Sequence, residues 1–324
     1  MEKNDPLYWL ISESIQQLGL DTDPEALTKR IRVLQVDLPA EDEFSVILTW
    51  LGQCRLVHKL DQFQSPRSSR AQWAVPDLFA VFDYRGHDLP VLIEVKTTPF
   101  SNGTLSWKPA YRDALMAYAD MLKLPLLIAW RFGTFWILFD AGHLTPSPIR
   151  YKIKSFEAMK QTLMTELAGD FSFSLQPGSG MHFRMRKLEA TDDGFHVRIE
   201  EAYWQNAAGE RFKKADGVFP LFLCLEQESI SEDEGEFLTQ SFVIPDASQA
   251  EFAHRALVTL LRFSTRKDNV HWRRTLESHK APPVPPGGLR KAADDALRSG
   301  FLQYGMNIVP AIMPDFLTRI ALAH

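Results

Sequence analysis

The chain is poor in cysteine. Cys54 and Cys224 are the only two among 324 residues, so neither a disulfide framework nor a spaced zinc pattern can be written for it. It has no excess of positive charge either: 36 Lys and Arg stand against 41 Asp and Glu, a formal net charge of −5. Bulk electrostatics therefore do not mark a nucleic-acid binder, and any such binding has to use local basic patches. No apolar run approaches the roughly 20 residues of a membrane helix. The opening residues, MEKNDPLYWL, lack the basic, apolar, small-residue order of a secretory signal. A cytoplasmic protein is the default expectation. There is no G-x-x-x-x-G-K-[ST] phosphate loop, no G-x-S-x-G and no internal repeat. The nine His are scattered, and none is expected to hold a structural metal.

What is present is concentrated between Val75 and Pro99, VPDLFAVFDYRGHDLPVLIEVKTTP. Leu78 to Phe82 and Val91 to Val95 read as two strands. Asp83, Gly86, Asp88 and Pro90 between them supply turn chemistry, so the pair is expected to be a hairpin. Asp77 opens the first strand, directly after Pro76. Glu94 and Lys96 are two residues apart near the end of the second strand, so they share a face, with Val91, Ile93 and Val95 on the other. Opposite charges on one of the most apolar runs of the chain are costly to bury unless they are paired or bound to a metal. The bland alternative is a rim Asp with a Glu–Lys pair solvated at a sheet edge.

Pro76-Asp77 followed 17 residues later by Glu94-Val95-Lys96 resembles the two half-motifs of the PD-(D/E)xK nuclease superfamily. Each half is short, and their placement on successive strands gives the likeness its weight. The resemblance implies a restriction-endonuclease-like α/β core and metal-dependent cleavage of phosphodiester bonds. Asp77 and Glu94 would be the metal ligands, the main-chain carbonyl of Val95 a further one, and the cofactor Mg2+ or Mn2+. Hard divalent cations of this kind take oxygen ligands and keep several waters. Lys96 would orient the attacking water or stabilise developing charge. In the resemblance, a helix before the hairpin can add a third carboxylate. Glu43 is the first choice for it and Glu41 the second, against the plain reading of acids at a helix N-terminus.

The rest of the chain supports the same order. Residues 1 to about 37 suggest two helices. Phe44, Ile47, Leu48 and Leu51 form a helical stripe, and Arg55 to Leu60 a first strand. Arg67 and Arg70, in a polar loop upstream of Asp77, could touch phosphate or simply be solvated. Ser106 to Leu122 reads as a helix, Leu124 to Trp130 and Phe135 to Phe139 as strands. A polar or basic residue on that helix belongs to the resemblance, with Arg112, Tyr118 and Lys123 as candidates. The likeness covers about residues 40–140. After a connection with one helix, Phe156 to Leu167, four segments read as strands: His182 to Leu188, Phe195 to Ala202, Gly217 to Leu225 and Phe237 to Ile244. Glu226 to Glu236 reads as an acidic loop. Gln249 to Phe263 reads as a helix that runs into the strongest basic cluster, with Arg266, Lys267, Arg273 and Arg274. That cluster is either a nucleic-acid contact or a solvated helix end. A proline-rich linker, Ala281 to Gly288, precedes a last helix, Leu289 to Gly300.

The expectation is a two-part chain. Residues 1–150 would carry the N-terminal helices and a mixed-sheet nuclease core flanked by helices. Residues 151–324 would form an α+β unit, rich in antiparallel strands, for target selection or for making a homodimer. The partner would be nucleic acid, DNA ahead of RNA, in restriction or phage defence. The alternatives are a repair or recombination nuclease and, in another class, an inactive nuclease-fold binding or scaffold protein.

Overall fold

Helix α1 (residues 40–51) opens the part of the chain that positions the site. Phe44, Ile47, Leu48 and Leu51 recur at helical spacing and are buried, and each such side chain taken out of water contributes about 1.5 to 3 kcal/mol. The computed structural model describes residues 40–61, 66, 68, 69, 72–192, 194–213, 228–246, 249–264, 288–305 and 307–322, together with Ile15, Asp23 and Glu25. Most of the expected N-terminal helices, the strand at Gly217 to Leu225, the basic stretch from Arg266 to Arg274 and the proline-rich linker lie outside these residues.

A five-stranded mixed sheet follows α1. β1 (Cys54–Lys59) pairs antiparallel with β2 (Leu78–Tyr84), and β2 with β3 (His87–Thr98). The chain then makes a short strand β4 (Thr104–Trp107) and helix α2 (Pro109–Leu122). It returns as β5 (Leu126–Phe132), parallel to β3, and β6 (Phe135–Asp140) closes the order β1-β2-β3-β5-β6. A parallel neighbour requires a crossover, and α2 supplies it. β2 alternates buried and half-buried residues, whereas Val91 to Val95 of β3 are buried without a break. That is the pattern of a central strand covered on both faces.

Each face has its own core. Ile93 and Val95 pack with Leu78, Ala80 and the α1 stripe on one side; Leu92, Ile128 and Trp130 pack with Leu115 and Ala119 of α2 on the other. The α1-side cluster continues past residue 150, through Phe171, Phe173, Leu257, Ala293 and Phe301.

The hairpin is longer than expected. Its turn is Arg85-Gly86, both at positive φ, the two-residue type that suits the twist of a hairpin. Asp88 and Pro90 therefore belong to β3, not to the turn. Pro90 stands opposite Val81 and lengthens the strand rather than ending it. Ser106 and Trp107, expected as helix, end β4, which pairs with β8 (Tyr151–Lys154); a two-residue β7 (Thr145–Pro146) lies on the far side of β8.

The later part begins with α3 (Ser155–Lys160) and a π-helical turn at Met164–Ala168, two pieces where one helix was expected. β9 (Ser172–Leu175) joins a small sheet. β10 (Gly180–Thr191), β11 (Gly194–Gln205), β12 (Arg211–Phe212), β13 (Glu228–Glu234) and β14 (Phe237–Val243) form an antiparallel sheet in the order β12-β11-β10-β14-β13. The acidic stretch expected as a loop is thus the edge strand β13, turned back at Gly235 with φ of 64°. Charged side chains are tolerated at an edge and protect it from pairing with other chains. β15 (Glu251–Phe252) leads into α4 (Ala253–Ser264); α5 (Gly288–Arg298), β16 (Leu302–Tyr304) and α6 (Asp315–Leu322) complete the described chain. The whole is a mixed α/β fold with one mixed and several antiparallel sheets. Among the described residues, no helix is long and apolar enough to cross a membrane.

Candidate active site

The site forms where β2 and β3 stop pairing. Leu78 is the last β2 residue in register, opposite Ile93. One step beyond, the Asp77 carboxylate replaces the missing strand partner: its Oδ2 accepts the Val95 amide at 2.8 Å. Strand alternation then sets the faces. Ile93 and Val95 point into the α1-side core, and Glu94 and Lys96 point toward α2.

Glu94 is 1% exposed, which excludes a pair solvated at an edge. Its Oε1 accepts from the Lys96 ammonium and from the Tyr111 hydroxyl of α2. Its Oε2 is buried and has no hydrogen-bond partner among the described residues. A buried carboxylate oxygen without a donor costs free energy, so this atom has acceptor capacity left over. Lys96 also donates to the Val95 carbonyl, at 3.0 Å, and lies 5.5 Å from the centre of the Tyr111 ring.

The electrostatics fix the protonation states of the two covering groups. Burial alone would lower the Lys96 pKa, but Glu94, Tyr111 and Asp77 outweigh it and hold it above the ordinary lysine value. Burial raises the Tyr111 phenol, and the Glu94 charge adds to the rise, so Tyr111 remains a hydrogen-bond donor.

Glu43 is not brought to this cluster. Its Oε1 accepts from the Trp136 indole at 2.9 Å, and its Oε2 from Arg131 at 3.0 Å. Arg131 stands beside Thr97 in the β3–β5 register, on the sheet face opposite Glu94, and Glu43 is buried there as a structural anion. Glu41 lies on the Asp77 side: burial raises its pKa, the Lys59 hydrogen bond lowers it, and the Asp77 charge raises it again. Lys59 holds Glu41 at 2.9 Å and Asp42 at 2.6 Å. Among the described residues, no group of three or more His, Cys, Asp or Glu is placed to hold a metal ion. Asp77, Glu94 and the Val95 carbonyl are the oxygens that come together.

Other sequence candidates separate from the site. Arg112 pairs with Asp113 at 3.2 Å and lies over the Tyr151 ring. Tyr118 packs into the α2-side core, and Lys123 caps α2 in the left-handed conformation. Arg67, Arg70, Arg266, Lys267, Arg273 and Arg274 lie outside the described residues. The residue sequence reasoning missed is Tyr111, in the segment read as a helix. Its signal was its position in the first turn of the helix that follows E-x-K.

Beyond Lys96 the end of β3 opens into a groove of about 630 Å3 between β4, the start of α2 and Arg150. Lys96, Lys108 and Arg150 line it together with hydroxyl and amide side chains, and among the described residues no carboxylate does.

No protein-family model matches the chain, and no curated protein does. Among solved structures, the chain is similar to Hjc of Archaeoglobus fulgidus, a Holliday junction resolvase from an archaeal hyperthermophile. The identity is 17%, over 37% of this chain and 88% of that one, with a TM-score of 0.30. A likeness at that score adds nothing to the geometry above.

Proposed function

We propose that the chain is a metal-dependent nuclease that hydrolyses phosphodiester bonds of nucleic acid, with DNA the first substrate to test. One observation carries the proposal: Glu94, buried at the centre of a mixed sheet, keeps one bare oxygen beside Asp77 and Lys96 at the point where strand pairing breaks. The residues fit a hard divalent cation. The available donors are all oxygens, one of them buried without a partner, and a Mg2+ site needs only one or two carboxylates because the ion keeps its waters.

Asp77, Glu94 and the Val95 carbonyl would hold the ion. When bound, it supplies an acidic water and positive charge for the phosphoryl oxygens. The remaining work belongs to the chain. Lys96 would donate hydrogen bonds to an incoming water or to the phosphoryl oxygens, where charge develops. It already spans Glu94 and Val95, so it holds the anionic cluster together until the substrate arrives. Tyr111 keeps the Glu94 side chain in one rotamer, and the packed sheet excludes water from behind it.

The test is incubation of the protein with plasmid, single-stranded DNA and RNA in Mg2+, Mn2+ or EDTA. Cleavage is expected only with the divalent ions. Asp77→Asn, Glu94→Gln and Lys96→Gln are each expected to lower it about 100-fold or more, the scale of losing one preorganised charge in a reaction centre. Wild-type inactivity on every substrate, or full activity of any of the three variants, would overturn the assignment concerned. Calorimetric titration with Mn2+ separates an enzyme from an inactive scaffold: heat that disappears in Asp77→Asn places the ion at this site. Defence and repair enzymes would use the same groups, so the proposal extends to the chemistry and not to the setting.

A further inference from the structure

We propose that the groove beside Lys96 takes an unpaired segment of the nucleic-acid strand that flanks the cleaved bond, with Lys108 and Arg150 on its phosphates. The proposal rests on the nuclease reading and adds to it the strand path and the class of substrate.

Three observations carry it. The first is charge. In a chain of net charge −5, this groove is lined by Lys96, Lys108 and Arg150 and, among the described residues, by no acid. Neither Lys108 nor Arg150 has an ion-pair partner among the described residues. Free cations in a concave wall raise the local concentration of a polyanion. The start of α2 adds to the field: Lys108 is its N-cap, Pro109 follows, no acid lies in its first turn, and no side chain caps the free amides. A 14-residue helix so exposed presents positive potential at that end.

The second is unmet hydrogen bonding. Trp107 is 4% exposed and lines the groove, yet its Nε1 has no partner among the described residues. The Ser106 Oγ, also on the groove wall, is buried without a partner too. Buried polar atoms are almost always satisfied. Both atoms are closed from solvent, so they are met only when the wall shifts around an incoming strand, whose ring nitrogens and carbonyls match a donor and a hydroxyl.

The third is size. About 630 Å3 falls within the roughly 300 to 1,000 Å3 typical of pockets that enclose small organic ligands, enough for a nucleotide or so. A double helix is a rigid rod that would lie across the mouth with its base edges turned inward. A splayed or single strand exposes both its phosphates and its base edges, the mode by which most sequence-tolerant single-strand binders work.

The path also has a direction. Lys96 belongs both to the Glu94 cluster and to the groove wall, so a strand lying on Lys108 and Arg150 delivers its next phosphate to the reaction centre.

The test measures binding separately from cleavage. Fluorescence anisotropy is read with a labelled single-stranded DNA, the same sequence as RNA, and its blunt duplex, in Ca2+ across a salt series. The proteins are the wild type, Lys108→Gln/Arg150→Gln, and Lys108→Glu. The double variant is expected to weaken single-strand binding about tenfold or more. It should also reduce the slope of log affinity against log salt by about 1.4, at roughly 0.7 per phosphate contact. Its melting temperature should be unchanged. Lys108 is exposed, so Lys108→Glu removes no packing and reads the charge alone should Arg150→Gln fold poorly; it too should weaken single-strand binding. Unchanged single-strand affinity and slope would overturn the proposal, as would a duplex that binds more tightly than the single strand and loses as much in the variants. Comparison of the DNA and RNA arms assigns the sugar. If the wild type cleaves while the groove variants bind like it, only the groove falls; if binding depends on Lys108 and Arg150 but no substrate is cut, the nuclease reading falls instead.

Discussion

At the scale of single residues, Tyr111 decides how Glu94 is presented. The carboxylate keeps one oxygen saturated by Lys96 and Tyr111 and the other bare. Removing the hydroxyl in Tyr111→Phe leaves the ring and its contact with Trp107, so the fold should be unaffected. Glu94 then loses a donor worth about 1.5 to 3 kcal/mol to a charged partner and can turn its bare oxygen away. The expected outcome is a cleavage rate about tenfold lower, with half-maximal activity reached at a higher Mn2+ concentration. A changed melting temperature with unchanged Mn2+ dependence would make Tyr111 structural only. Cys54 is a case of the opposite kind, a group silenced by its surroundings. Burial pushes its thiol from 9.0 up to about 12, although backbone hydrogen bonds oppose the shift. A raised acid pKa favours the neutral form in the fold, so the associated stability is complete below about 9 and is lost as the pH climbs toward 12. In a Cys224→Ser protein at pH 8, a thiol reagent should therefore react about a thousandfold more slowly with the native than with the unfolded chain, following the thiolate fraction. Equal rates would show that Cys54 is not held in this environment.

At the scale of elements, helix α1 shows why one candidate ligand went astray. Periodicity placed Glu41, Asp42 and Glu43 in a first turn and Phe44 on the core stripe, but it does not say which sheet face the stripe will cover. α1 covers the Ile93–Val95 face, and that sends Glu43 to Arg131 and Trp136. Glu43→Ala should consequently destabilise the protein by about 3 kcal/mol or more, because it strands a partly buried arginine. The cleavage rate per folded molecule, measured well below the melting temperature, should stay at the wild-type level. A lost rate at full stability would return Glu43 to the metal. What was legible followed from local period and spacing: alternation put Glu94 and Lys96 on one face, and the apolar run at Val91 marked a strand. What was not legible depended on partners far away in sequence. β13 reads as a solvated acidic run, and only the β14 ladder makes it a strand. Tyr111 lies in a segment that reads only as helix, and only the packing of α2 beside β3 brings its hydroxyl to Glu94.

At the scale of the whole molecule, a buried polar strut ties the mixed sheet to the later elements. Asp170, after the π-helical turn, accepts the His254 backbone amide at 3.0 Å on Oδ1 and the His254 ring at 2.7 Å on Oδ2. The other ring nitrogen accepts the Trp136 amide of β6 at 3.1 Å. That nitrogen cannot also carry a proton, so the imidazole is neutral, with its single proton directed at Asp170. Trp136 in turn reaches Glu43 through its indole, which links α1, β6 and α4 in one buried network. Residues from both sides of position 150 share the apolar cluster around it. Two units with a core in common cannot unfold separately without exposing that core to water. His254→Ala removes the acceptor of a buried amide and leaves Asp170 short of a donor, a cost of about 3 to 5 kcal/mol. The expected outcome is a lower urea midpoint with one transition, coincident by tryptophan fluorescence and by far-ultraviolet circular dichroism. Two separated transitions in the variant would mean that the halves fold independently and that the strut, rather than the shared apolar core, is what joins them.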